Sequence, residues 1–208
     1  MRFVYVYLLN TLADWELGYI TSELNSKRFF KKDAAPISVK TVSISKEAIT
    51  TMGGMKIVPG STIDEIVESK ENVLILPGAN TWENLENKAI IEKAQKFISI
   101  GATVCAICGA TVALANAGLL DKRPHTSNGV GFIQAFSTVY QGDQFYVDVP
   151  SVSDGNLITA SCTGSLLWAK QIIEKLDVFK RESLEAWYAY FNTGKAEKFF
   201  ALMQTLKD

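Results

Sequence analysis

Short apolar runs alternate along this chain with longer stretches in which apolar residues recur at helical spacing. Residues 3–9 form a continuous apolar run rich in β-branched and aromatic residues, the pattern of a strand covered on both faces. Residues 12–24 carry Leu17, Ile20 and Leu24 on one helical stripe. A second strand is expected over 37–42. Gly53-Gly54 interrupts 50–58 between two extended pieces, as a hairpin turn does. Residues 73–76 read as a buried strand ended by Pro77-Gly78, and 90–100 as an amphipathic helix closed by Gly101. A strand over 103–107 leads into an Ala- and Leu-rich helix over 109–117, which Gly118 stops. Short strands are expected at 125–127, 145–149 and 157–160, with a turn at Asp154-Gly155-Asn156. A helix at 166–176 and two further helices complete the chain.

Strands alternating with helices predict an α/β fold: a mostly parallel sheet flanked by helices on both faces. No repeat, low-complexity tract or linker interrupts the pattern, so residues 1–208 are expected to form one domain. Sites in such sheets lie at the carboxyl ends of the strands, which directs attention to the chain after Leu9, after Leu76 and after Ile107.

Composition narrows the function. Hydrophobic residues make up 48% of the 208 and charged residues 21%, enough for a sizeable core. A net charge of −1 argues against nucleic-acid binding through a basic surface. Arg28 with Lys31-Lys32 reads as a solvated helix end. The first apolar run is too short to span a bilayer and has no small-residue cleavage site, so a soluble cytoplasmic protein without a membrane partner is expected. Three cysteines form an odd set that suits a reducing compartment.

Two of them lie in Val104-Cys105-Ala106-Ile107-Cys108-Gly109-Ala110-Thr111. A redox C-x-x-C places its first cysteine at a helix N-terminus, yet Cys105 falls inside the strand, where a thiol behaves as a small hydrophobe. A zinc site needs more ligands, and the chain has one histidine, so no metal or other cofactor is expected. Cys108 falls at the strand–helix junction. It is either one more small core residue or a nucleophile at a sharp elbow, for which Ala106, Gly109 and Ala110 are suitably small neighbours. In the elbow reading the helix N-terminus lowers the thiol pKa and the Gly109 N–H is an oxyanion donor.

AICGATVALANAGLL resembles the strand–elbow–helix of the ThiJ/PfpI family, within the class I glutamine-amidotransferase-like superfamily. ADWE, TMGG, LILPGA, HTSNG and DGNLITA are similar to family segments in the same order, from the first strand to about Lys175. The resemblance implies a flavodoxin-like fold, with about 179–208 as a C-terminal helical extension. It also implies that Glu16 reaches Cys108. A carboxyl group against a thiolate has a raised pKa and can act as proton donor or base. Without the resemblance, Glu16 is one of many carboxylates at a helix start.

The same comparison makes Gly78 and Ala79 a substrate-binding turn, with the Ala79 N–H as second oxyanion donor. Relatives commonly have PGG there, so Ala79 departs from the pattern. Trp82 is either a pocket wall or packing. His125 is a candidate to activate the thiol. However, Asn128 takes the place of the histidine found in this region of some relatives, and three residues along a strand turn His125 the other way. PfpI-type proteases carry histidine directly after the cysteine, where Gly109 stands, and no histidine follows His125 to complete an amidotransferase triad. Cys162 reads as small-residue packing at a helix cap or as a second thiol near the site. The resemblance suggests glyoxalase-like or amidase-like chemistry on a small carbonyl or acyl substrate. An oxidant sensor using the same thiol, or a chaperone-like binder using apolar surface, are the alternatives. Family members are often dimers, and the aromatic-rich C-terminus supplies either a homodimer interface or a helical lid.

Overall fold

The first apolar run becomes the middle of a seven-stranded sheet. In this computed structural model, which describes residues 1–207, β1 (Arg2–Tyr7) pairs in parallel with β2 (Ile37–Ser43) on one side and β6 (Val73–Leu76) on the other. Along the chain, the small hairpin of β3 (Ile49–Thr50) and β4 (Lys56–Ile57) and the edge strand β5 (Ser61–Thr62) come between β2 and β6. Outward from β6 come β7 (Thr103–Ile107), β9 (Leu157–Ala160) and β8 (Ser151–Asp154). The order is β5-β2-β1-β6-β7-β9-β8, parallel except for β8 against β9.

The connections fix where the helices go. From β1 the chain runs through α1 (Asp14–Ser26) to β2 in one direction; from β6 it runs through α2 (Lys88–Ser99) to β7 in the other. Right-handed crossovers in opposite directions put α1 and α2 on opposite faces. Helix α3 (Gly109–Asn116) follows β7, and α4 (Phe132–Phe136) packs against it. Helices α5 (Ser165–Leu176), α6 (Arg181–Thr193) and α7 (Ala196–Gln204) continue the layer begun by α1. Central strands covered on both faces leave little room for polar atoms, and those present are satisfied. The Tyr7 hydroxyl donates to Asn87 Oδ1 at 2.6 Å, and the Tyr5 hydroxyl accepts from the Val67 N–H at 3.0 Å.

The mostly parallel α/β sheet agrees with the expectation, and most elements fall within a few residues of it. The strand expected at 145–149 does not form. That segment is a 3-10 turn over Asp143–Phe145 followed by extended chain, with a lone parallel bridge between His125 and Tyr146 standing in for both this strand and the one expected at 125–127. Its alternating apolar residues bury no face, since Val147 and Val149 are exposed. The strand lies further on, at the polar Ser151–Asp154, where Gly155 at φ 58° closes a hairpin onto β9.

The C-terminal helices fold back onto the domain. Trp187 is fully buried, its indole N–H donates to Glu23 Oε1 at 3.0 Å, and its ring meets Tyr19 edge-on. Phe199 and Phe200 remain exposed. Asp208, the end of the expected extension, lies outside the described residues. Among those residues no helix is long and apolar enough to cross a membrane.

Candidate active site

Three strand ends meet at one sulfur. The parallel strands β1 and β6 send their connections in opposite directions across the sheet, leaving a crevice at their carboxyl ends. Into it come Glu16 from the first turn of α1, Gly78-Ala79 after β6, and Cys108 after β7.

Cys108 is the cap residue of α3 and has φ 57° and ψ −126°. A side chain is rarely tolerated there, at a strain of about 1–3 kcal/mol. Neighbours hold it in place. Its N–H donates to Ala160 O at 2.9 Å, and its carbonyl accepts from the Thr111 N–H at 3.0 Å and the Thr111 hydroxyl at 2.6 Å. With that proton committed, the Ser127 hydroxyl 2.6 Å away donates to Thr111, tying the elbow to the next loop.

Glu16 is wholly buried. Its Oε2 accepts from the Gly78 N–H at 2.6 Å, while its Oε1 has no hydrogen-bond partner among the described residues. Burial pushes its pKa up to about 7, against the opposing pull of the Gly78 N–H and of Cys108. Gly78 is what lets acid and thiol meet. A β-carbon there would fall 2.7 Å from Cys108 Cβ and 2.7 and 2.8 Å from the two Glu16 oxygens. Gly78→Ala is therefore expected to separate the pair and lower the activity that depends on it by about 100-fold, as displacements near 1 Å do. The loss is read in kcat/KM, with thermal melts confirming the fold. A loss under threefold would show that the close approach has no bearing on function.

Asn128 completes the contacts to the sulfur. Its Nδ2 donates to Cys108 Sγ at 3.2 Å, and its Oδ1 accepts from the Cys162 N–H at 2.8 Å. Because the Cys162 amide is a donor, it requires the oxygen on its side and turns the NH2 group toward the thiol. The Tyr146 hydroxyl grips the loop on either side of Asn128, accepting from the Gly129 N–H at 3.1 Å and donating to Ser127 O at 3.4 Å. Cys162 thus enters through its backbone, and its carbonyl also accepts from the Trp15 indole N–H at 3.2 Å.

The expected oxyanion donors lie together. A β-carbon on Gly109 would stand 3.0 Å from the Ala79 carbonyl oxygen and 3.6 Å from its nitrogen. The Ala79 N–H bonds to nothing among the described residues, and its φ is not positive, so alanine fits at this turn. The Gly109 N–H interacts with the Cys108 sulfur. Trp82 is a wall, with its indole N–H donating to Pro77 O at 2.9 Å and its ring against Tyr7.

Two expectations need correction. The thiol is not held below its ordinary pKa. Burial pushes Cys108 up to about 11 and the Glu16 carboxylate adds to the rise, outweighing Asn128 and the Gly109 N–H. And His125 is not brought to the thiol. It is fully buried, its Nδ1 is 2.8 Å from Arg123 O, and its Nε2 is 2.6 Å from the Tyr140 hydroxyl. Burial lowers its pKa, so it is a neutral packing group. Cys105 is buried in β7, where desolvation raises its pKa strongly. Among the described residues no three His, Cys, Asp or Glu side chains cluster so as to hold a metal.

Above the sulfur opens a cavity of about 460 Å³. Its outer walls include Trp15, Met52, Val112, Phe132 and Phe136, which the sequence pattern did not single out. Trp15 and Met52 lie inside ADWE and TMGG, so a signal was present. Asp14 Oδ2 accepts from the Gly53 N–H at 2.7 Å, which brings the β3–β4 hairpin, and Met52 with it, over the cavity. Phe132 and Phe136 sit on a five-residue helix after a glycine-rich loop, with nothing to distinguish them from surface residues.

The DJ-1/PfpI family model matches residues 2–175. A Bacillus subtilis protein named an uncharacterized protease, YoaZ, is 45% identical over 99% of this chain and 98% of its own length. The deglycase PfpI of Pyrococcus furiosus is 28% identical over 66% of this chain and 82% of its own. The crystal structure of a thiJ/pfpI family protein from Bacillus anthracis matches with a TM-score of 0.96 at 44% identity, covering 100% of this chain and 99% of that one.

Proposed function

This chain belongs to the DJ-1/PfpI family, and from that premise we propose that it is an enzyme whose Cys108 attacks the carbonyl carbon of a small aldehyde or acyl compound, with Glu16 as proton partner. The observation that carries the reading is the convergence on one sulfur of a buried carboxyl group and an oriented amide, at a strained elbow under an open cavity that Gly109 and Ala79 also line.

The reaction begins with Glu16 ionised. Its carboxylate takes the thiol proton as sulfur bonds to the carbonyl carbon, and the carbonyl π pair moves to oxygen. The Gly109 and Ala79 N–H groups stabilise that oxyanion. With a 2-oxoaldehyde, Glu16 returns the proton to oxygen to give a hemithioacetal, then takes the proton from the sulfur-bearing carbon and delivers it through an enediol to the neighbouring carbonyl carbon, leaving a 2-hydroxyacyl thioester that water hydrolyses. With an acyl compound, the π bond re-forms, the leaving group departs with the Glu16 proton, and water hydrolyses the thioester. Relatives named protease and deglycase suit a thiol that attacks carbonyl carbon.

Burial raises both groups, Glu16 to about 7 and Cys108 to about 11, so the carboxyl group gives up its proton first. Activity is therefore expected to rise with pH through about 7 and level off, in kcat/KM profiles from pH 5 to 9. A flat profile would remove Glu16 as the base. The raised thiol also favours this reading over an oxidant sensor, which reacts as a standing thiolate. The direct test is intact-mass analysis of the wild type quenched during turnover of methylglyoxal, glyoxal and simple amides. A substrate-derived adduct mapping to Cys108 is expected. Turnover with no adduct at Cys108, or no turnover of any of these compounds, counts against the proposal.

A further inference from the structure

The cavity over Cys108 is larger and more apolar than a two- or three-carbon carbonyl compound requires. At about 460 Å³ it has the size of sites that enclose drug-like molecules. Contacts hold part of its wall in place. The Trp15 ring is fixed by its bond to Cys162 O, the Trp82 ring by its bond to Pro77 O, and Phe132 packs on Phe136 with centroids 5.0 Å apart. Trp15, Met52 and Phe136 are 54%, 44% and 57% exposed, so three large apolar side chains that the core does not use gather at one mouth.

The charges there have one sign. Glu83 lines the cavity, Glu16 lies beneath the sulfur, and no Arg, Lys or His contributes. Glu83 makes no ion pair among the described residues. The donors at the floor, the Gly109 and Ala79 N–H groups, are placed for the reacting oxygen. A second, anionic group on the substrate would lose water and meet no cation, only uncharged donors such as the exposed Asn80 amide.

We infer that the substrate carries an aromatic or branched apolar group beside its reacting carbonyl and bears no anionic group. This rests on the proposed role of Cys108 and specifies what that residue attacks.

Selectivity of the cavity is measured without turnover, by alkylating Cys108 with matched electrophiles and dividing each rate by that of the same electrophile with free cysteine. In these normalised rates iodoacetamide is expected to outpace iodoacetate, and N-benzylmaleimide to outpace N-ethylmaleimide, each by about tenfold, a difference of about 1.4 kcal/mol. Glu83→Gln should narrow the first ratio. The double variant Phe132→Ala/Phe136→Ala should narrow the second, with circular dichroism confirming its fold. Normalised ratios near one in the wild type overturn the inference. Turnover then separates it from the reading beneath it. Phenylglyoxal should exceed methylglyoxal and 4-carboxyphenylglyoxal in kcat/KM. 4-Carboxyphenylglyoxal as the best substrate sinks the inference and leaves the thiol chemistry standing. Selective alkylation with no turnover of any carbonyl sinks the chemistry and leaves the cavity's preference standing.

Discussion

Cys108→Ala is expected to bring turnover to the uncatalysed rate, a loss of roughly four orders of magnitude or more, and Cys108→Gly to do the same while folding more stably than the alanine variant. The activity loss follows from removing the only atom that can form the covalent bond. The stability difference follows from the elbow. At φ 57° and ψ −126° a β-carbon is strained whether or not it carries sulfur. Alanine keeps that strain; glycine releases it, and gives back part of the gain through the greater freedom of its unfolded chain. The net is about 1 kcal/mol in favour of glycine, read as the difference between urea melts of the two inactive variants. The surroundings should survive both changes, because the Asn128 oxygen remains held by the Cys162 N–H and the residue 108 amide by Ala160 O. Equal stability would mean the elbow stores no strain. Full turnover in Cys108→Ala would end the mechanism, whereas holdase activity surviving in that variant would point to the apolar surface instead.

How much of this was legible beforehand depends on the kind of information each feature needs. The two cysteines could be told apart by pattern alone, since period and small neighbours put Cys105 within a strand and Cys108 at its end. The three strand ends that build the site followed from the alternation of elements. The strand expected at 145–149 was misplaced because alternation signals a strand only when one face is buried. There Tyr146 serves through its hydroxyl, bracing the loop that carries Asn128. A three-residue offset gave the reason to doubt His125, and its two buried hydrogen bonds account for its position. The thiol's pKa could not be read from the chain. The helix N-terminus is visible in sequence, but the depth of burial and the position of Glu16, which outweigh it, are properties of the assembled site. Gly78 likewise reads as an ordinary turn until the collision a side chain would cause is measured.

Glu16→Gln is expected to lower turnover by about a thousandfold and, above neutral pH, to stabilise the protein. The two effects have one origin. The carboxyl group titrates near about 7 when folded, against 4.5 for an ordinary glutamate. The folded state therefore holds this proton more tightly than the unfolded chain does. The stability that this proton confers is fully present below pH 4.5 and is lost as pH rises through about 7. At pH 8.5 the loss amounts to roughly 3 kcal/mol, which glutamine, having no charge to bury, avoids. Glutamine can also keep the bond from the Gly78 N–H through its oxygen, while its NH2 group fills the place of the oxygen that has no partner. From there it can donate to sulfur and support a thiolate, but it cannot accept the thiol proton or return it. Alkylation of Cys108 should therefore persist in the variant while turnover collapses, and the rise in rate through pH 7 should vanish. Urea melts of both proteins at pH 5 and 8.5 test the stability half. His125, whose lowered pKa makes either protein less stable as pH falls, cancels in the difference between them. The advantage of glutamine should be small at pH 5 and large at pH 8.5. The same advantage at both would mean that Glu16 is already ionised in the folded protein at pH 5, with no raised pKa to make it a poised base for Cys108.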